Sequence, residues 1–170
     1  MYSKIKIFGH PIHPMLIAYP VAFYTGTLVG FCIYGATGDF FWLKATIALN
    51  LAGIVTAALA ALPGFLDWLL GIPSGTDAKK DGLIHASFNV VSLALFTISF
   101  IAYAGHWNGP RTGAGLGIVL TGIGVLSTLA AGWYGWMLVQ GHHVGVDLVG
   151  KQVQVDPTLK QAQAEQRKAS

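Results

Sequence analysis

Long apolar stretches without a charged residue divide the chain into four segments. They cover residues 15–36, 45–66, 83–104 and 113–139. A helix of about 22 residues is roughly 33 Å long, enough to cross a hydrocarbon core of about 30 Å. The stretches are apolar all round, which is typical of helices surrounded by lipid or by other helices. The pattern predicts membrane-spanning helices at about 15–36, 43–70, 83–104 and 113–139.

The connections between these spans are short, so consecutive helices must be antiparallel neighbours. An all-α, integral membrane four-helix bundle is the simplest architecture that satisfies this constraint. We expect residues 1–147 to form the membrane domain and residues 148–170 to form a polar C-terminal tail. The even number of spans places both chain termini on the same side of the membrane.

The composition agrees with the lipid bilayer as the surrounding medium. Only 10% of the 170 residues are charged, against about 25% in an ordinary soluble domain. The net charge of +3 does not indicate nucleic acid, because the basic residues form no patch with interleaved aromatics. The single cysteine, Cys32, cannot build a disulfide framework.

The basic residues predict how the bundle is oriented. Eight of them lie in the N-terminus, the loop between the second and third spans, and the tail, whereas only Lys44 and Arg111 lie on the opposite side. The positive-inside rule therefore places both termini in the cytoplasm. We predict a multi-pass membrane protein with this orientation.

Histidines gather at this same end of the bundle. His10 and His13 precede the first span, His85 opens the third, and His142 and His143 close the fourth. Asp67 leaves the second span at the same level, and only His106 lies at the opposite end. Neutral imidazole is the commonest metal ligand and titrates near physiological pH. A set of ordinary interfacial histidines that hydrogen-bond headgroups or backbone is the alternative.

The spacing of the histidines and their neighbours along the chain indicates the geometry and the role expected of each. Each histidine of His10-Pro11-Ile12-His13-Pro14 precedes a proline, which favours extended or polyproline geometry and makes Pro14 the first residue of span one. His85 and Asn89 share a helix face, so Asn89 either orients the imidazole of a neighbouring helix or bridges two helices.

Asp67, two tyrosines of span one and the glycines of span four complete the set of candidate residues. Asp67 accepts from the N–H of a ligating histidine, or is capped by water or lysine. Tyr19 and Tyr24 lie deeper in span one, and both are expected to hydrogen-bond something inside the bundle. The glycines of span four let helices approach closely or leave room for a flat macrocycle.

Five short motifs occur in a fixed order over about residues 9–147. They are Gly9-His10-Pro11-Ile12-His13-Pro14-Met15, Tyr19-Pro20, Gly64-Phe65-Leu66-Asp67, His85-x-x-x-Asn89 and His142-His143-Val144-Gly145-Val146. Together they resemble the bacterial four-helix membrane family catalogued as domain of unknown function 2231. Relatives joined to Rieske iron–sulfur modules imply membrane electron transfer, with His10, His13, His85 and His142 as candidate haem or metal ligands. Two positions depart from the family pattern: Ala18 replaces a further histidine, and His143 replaces a glycine.

These observations lead to the hypothesis of a small cytochrome-like protein that binds b-type haem through the matched histidines. It would exchange electrons with a quinone, a membrane partner or a redox protein, as a subunit or a homo-oligomer rather than a stand-alone enzyme. Asp67, Asn89, His143 and Tyr19 would be auxiliary residues. A protein that binds a transition-metal ion or conducts protons or metal ions is one alternative. A structural subunit of a larger membrane complex is another.

Overall fold

The computed structural model describes residues 5–146 and 161, and four long helical segments dominate it. The elements are β1 (Lys6–Ile7), β2 (His10–Pro11), α1 (Ile12–Leu16), α2 (Ala18–Thr37), α3 (Phe40–Gly71), α4 (Asp77–Ala104), α5 (Gly115–Trp136) and a π-helical turn (Met137–Gly141). Segments Ile12–Thr37, Phe40–Gly71, Asp77–Ala104 and Gly115–Gly141 are each long and apolar enough to cross a membrane. The predicted all-α four-helix fold is confirmed. The predicted tail, residues 148–170, lies outside the described residues apart from residue 161.

The first span begins differently from the prediction. β1 and β2 pair as an antiparallel hairpin whose turn residues, Phe8 and Gly9, both have positive φ, as in a two-residue hairpin turn. His10 is extended as predicted, but His13 already lies in α1, so the polyproline geometry predicted through His13 is wrong. Pro14 is the third residue of α1, where it is tolerated because backbone N–H groups of the first turn have no helical acceptor.

The helices form a bundle of two antiparallel hairpins. α2 packs on α3 and α4 packs on α5, with further contacts between α3 and α4 and between α2 and α5. α2 and α4 lie diagonally opposite, and their aromatic side chains meet near the axis. Tyr24 stacks on Phe96 with ring centroids 3.7 Å apart, and the Phe31 and Tyr103 centroids are 4.6 Å apart.

The two hairpins repeat the same pattern of buried residues. Residues of α2 correspond to residues of α4 that lie 72 positions later, as in Tyr24 with Phe96 and Phe31 with Tyr103. Residues of α3 correspond to residues of α5 that lie 71 positions later. The aligned buried pairs are Pro20 with Ser92, Thr27 with Ser99, Thr46 with Gly117, Asn50 with Thr121, Gly53 with Gly124, and Ala60 with Ala131. The bundle therefore has an internal pseudo-two-fold repeat with its axis along the membrane normal, as in parallel-repeat transporters.

Glycines on α5 admit the aromatic side chains of other helices. A Cβ atom on Gly117 would lie 2.6 Å from the Phe31 ring, and one on Gly124 would lie 2.6 Å from the Phe96 ring. These distances are below van der Waals contact, so only glycine allows this packing. At these two positions the close-approach interpretation of the span-four glycines is confirmed.

Candidate functional site

The end of the bundle at which Lys6, Lys79 and Lys80 lie, here called the basic end, holds five histidines in different settings. His10 is exposed on β2, whereas His13 in α1 and His85 in α4 are half-buried. His142 follows the π-helical turn, and His143 has a left-handed backbone with φ of 54°. The predicted gathering at one end is present, but only His13 and His85 have rings in contact.

His13 and His85 form a pair across the diagonal of the bundle. Their ring centroids are 6.2 Å apart and their ring planes are perpendicular. The Nδ1 atom of His13 lies 2.8 Å from the carbonyl oxygen of Ala60 on α3. The Nδ1 atom of His85 lies 2.7 Å from the carbonyl oxygen of Ala131 on α5. Ala60 and Ala131 are themselves aligned by the internal repeat, so the two imidazoles have equivalent anchors.

A glycine one turn beyond each carbonyl makes space for the ring. A Cβ atom on Gly64 would lie 2.6 Å from Nδ1 of His13, and one on Gly135 would lie 3.2 Å from Nδ1 of His85. The motif Gly-x-x-Thr/Ser-x-x-x-Ala-x-x-x-Gly therefore occurs twice, at residues 53–64 and 124–135. Sequence reasoning missed these backbone anchors, and this duplicated motif is the signal that reveals them.

The carbonyl contacts fix the tautomer of both rings. A carbonyl oxygen only accepts, so each Nδ1 carries the proton and donates it, and each neutral ring keeps its lone pair on Nε2. In His85 this Nε2 atom accepts from Asn89 Nδ2 at 3.1 Å, and the same amide nitrogen lies 2.9 Å from the His85 carbonyl oxygen. Asn89 orients an imidazole of its own helix, so the prediction that it acts on a neighbouring helix is wrong.

The other predicted ligands lie apart from this pair. The Nε2 atom of His142 contacts Oδ2 of Asp81 at 2.7 Å, in a half-buried pair that joins the end of the last span to α4. Among residues 5–146 and 161, no group of three or more His, Cys, Asp or Glu side chains is arranged to hold a metal ion. At this end the described chain brings two imidazoles together at His13 and His85.

The structure places two of the predicted auxiliary residues, Asp67 and Tyr19. Oδ1 of Asp67 accepts from the backbone N–H of Ile5 at 3.0 Å, which ties the N-terminal segment to the end of α3. Tyr19 is 55% exposed and faces away from the bundle interior, so its predicted inward role is wrong. Tyr24, which was predicted together with Tyr19, is 4% exposed and stacks on Phe96, and Tyr34 of α2 is also buried.

Comparison with known proteins agrees with the fold. The family model described as predicted membrane protein (DUF2231) matches residues 9–148. The chain belongs to the DUF2231 family. No curated protein and no solved structure matches it. Membership in DUF2231 establishes a membrane protein, in agreement with the four apolar helices, and the His13–His85 pair lies within the part that defines the family.

Proposed function

We propose that this DUF2231 protein is a membrane electron-transfer subunit that holds a b-type haem through His13 and His85. The observation that carries the proposal is the paired, two-fold-related anchoring of the two imidazoles at the basic end of the bundle. Electron exchange would involve a quinone or a redox protein in or at the bacterial inner membrane.

The chemistry of the donor set fits a haem iron that would be held by two imidazoles. Ligating histidines ordinarily donate their second ring N–H to a carbonyl or carboxylate, which sets the tautomer and the ring orientation. His13 and His85 both meet this condition through Nδ1. His13 and His85 would hold the iron through Nε2, and their ring centroids lie 6.2 Å apart.

Two neutral imidazoles suit electron transfer better than substrate chemistry. A haem held by two protein imidazoles would supply single-electron chemistry, with a potential that depends on its ligands, their hydrogen bonds and burial. In this chain the Ala60 and Ala131 carbonyls polarise the two rings, and Gly64 and Gly135 set their positions. Asn89 must release Nε2 of His85 for that atom to ligate, which its exposed position on α4 permits.

A structural role is the second candidate, and the contact from Asn89 to His85 favours it. With Nδ1 on Ala131 and Nε2 on Asn89, His85 already has a partner at each ring nitrogen. In that case the two imidazoles would act as polar contacts between helices, and the bundle would serve as a subunit of a larger membrane complex.

Visible spectroscopy of the full chain in mild detergent tests the proposal, with metal analysis on the same sample. The variants are His13→Ala and His85→Ala. His106→Ala is the matched control, because His106 bonds Pro110 at the opposite end of the bundle. We expect sharp reduced-minus-oxidised haem bands in the wild type and in the control, and their loss in both test variants.

Other outcomes contradict the haem assignment. Stoichiometric copper, zinc or iron without haem bands would make the pair a site for a metal ion. A colourless, metal-free protein after expression with excess haem would support the structural role. Bands that persist in both His13→Ala and His85→Ala would place the haem elsewhere in the chain.

A further inference from the structure

The centre of the bundle contains one buried polar residue from each long helix. Thr27, Asn50, Ser99 and Thr121 are each at most 1% exposed, and we refer to them as the central polar layer. The internal repeat aligns Thr27 with Ser99 and Asn50 with Thr121. None of these four side chains belongs to the histidine pair, so the inference does not depend on the proposed function.

Contacts between α2 and α3 place the layer midway along the helices. Gly53 faces the Tyr24 ring, and Gly30 faces Thr46. Between these two contacts the antiparallel helices bring Asn50 level with Thr27. Phe96 stacks on Tyr24, so Ser99, one turn further along α4, reaches the same level.

Several polar atoms around this layer have no hydrogen-bond partner in the part of the chain that the structure describes. Thr27 and Thr121 donate to carbonyl oxygens on their own helices, both at 2.7 Å. The buried atoms without a hydrogen-bond partner in the described part of the chain are Tyr24 Oη, Thr46 Oγ1, Asn50 Oδ1 and Ser99 Oγ. Three helices thus contribute unpaired donors and acceptors to one region of the bundle interior.

Unpaired polar atoms at this depth are unfavourable. A buried donor or acceptor without a partner loses its hydration, and lipid offers no replacement. Native proteins commonly satisfy such groups with internal water, which needs two to four polar partners. All six side chains involved are uncharged, so their donors and acceptors match water better than they match a multivalent cation.

We propose that the central polar layer binds internal water that hydrogen-bonds Asn50, Ser99, Tyr24 and Thr46. The hydroxyls of Thr27 and Thr121 each retain acceptor capacity toward the same region. Such water would hold the four helices together at the level where the two hairpins meet.

The direction in which Ser99→Ala shifts the thermal midpoint of unfolding distinguishes a hydrated layer from a dry one. In a dry layer, Ser99→Ala removes an unsatisfied hydroxyl and raises the thermal midpoint of the full chain in detergent. In a hydrated layer, the same change removes a hydrogen bond to water and lowers the midpoint by several degrees. We expect the lower midpoint, and Thr25→Ala, which removes an exposed hydroxyl bonded within its own helix, is the control.

A second measurement locates the ligand directly. A high-resolution experimental structure should show density within hydrogen-bond distance of Asn50 Oδ1 and Ser99 Oγ.

A comparison of salts tests whether a cation occupies the layer instead. The thermal midpoints of unfolding are compared in sodium, potassium and N-methylglucamine chloride at equal ionic strength. Absent density, an unchanged or raised midpoint in Ser99→Ala, or stabilisation specific to sodium or potassium would overturn the water assignment.

Discussion

Each histidine of the pair depends on three residues of the chain, because the ring, its carbonyl acceptor and the space for the ring must be placed together. His13 contributes the ring, Ala60 the carbonyl acceptor and Gly64 the space against α3. The His-Pro motif and its position at the basic end follow from sequence alone. The carbonyl partner does not, because any backbone oxygen near the helix end is chemically equivalent until the helices pack.

Adding one methyl group at Gly64 tests this arrangement. In Gly64→Ala the new Cβ would meet the His13 ring at 2.6 Å, so the ring must leave the Ala60 carbonyl. We expect destabilisation of about 1–3 kcal/mol from overpacking, and loss of any spectrum that depends on His13. Unfolding by denaturant in detergent measures the first effect.

Gly132→Ala is the matched control for that prediction. No atom lies within 4 Å of its added Cβ, and alanine favours helix over glycine by about 0.5–1 kcal/mol. It should be neutral or slightly stabilising. Equal losses of stability in the two variants would show that the His13 contact is not the cause.

At the scale of the elements, the helices extend beyond the uncharged stretches that predicted them. α4 begins at Asp77 rather than at residue 83, and α3 begins at Phe40 rather than at about residue 43. Thr76 caps α4 by accepting from the Lys79 backbone N–H at 3.2 Å, and Asp77 lies in the first turn. Charged side chains are unfavourable only within the hydrocarbon core. A search for uncharged stretches therefore detects the part of a helix that lies inside the hydrocarbon core and misses the helix ends.

The end of α3 is held by a lysine from the start of α4. Nζ of Lys79 contacts the Trp68 carbonyl, lies 3.2 Å from the Ile72 carbonyl and sits 4.1 Å from the Trp68 ring centroid. The last carbonyls of a helix lack backbone partners, and a cation there is favoured by the helix dipole. We therefore expect Lys79→Met to lower the unfolding free energy by about 1–2 kcal/mol.

Lys80→Met gives the corresponding control one position away. Lys80 pairs with Asp77 at 3.1 Å, and both side chains are largely exposed, at 72% and 81%. Such a pair contributes little because water screens it. A similar loss in both variants, measured by thermal unfolding in detergent, would rule out the capping role of Lys79.

At the scale of the whole molecule, the bundle is two similar hairpins joined by the loop between α3 and α4. Each hairpin forms its own backbone hydrogen bonds, as a membrane segment must. Their contacts with one another use side chains that meet near the axis, such as Tyr24 with Phe96. The hairpins should therefore associate without a covalent connection.

Dividing the chain in this loop tests the prediction. Residues 1–74 and 75–170, expressed together with an affinity tag on one piece, should purify as a complex. A division between residues 57 and 58 is the control, because it leaves broken helix ends in the middle of the membrane. Failure of the first pair to copurify would show that the hairpins are not separable folding units.

The sequence determined the membrane environment, the four spans, the end where the histidines collect and membership in DUF2231. These properties depend on apolar length and on local motifs, which are properties of a continuous stretch of chain. Only the tertiary structure decided that His13 meets His85, that His142 pairs with Asp81 and that Tyr24 rather than Tyr19 faces inward. These contacts join residues far apart in sequence, and the rotation of each helix is set by where glycines let aromatic and imidazole rings approach.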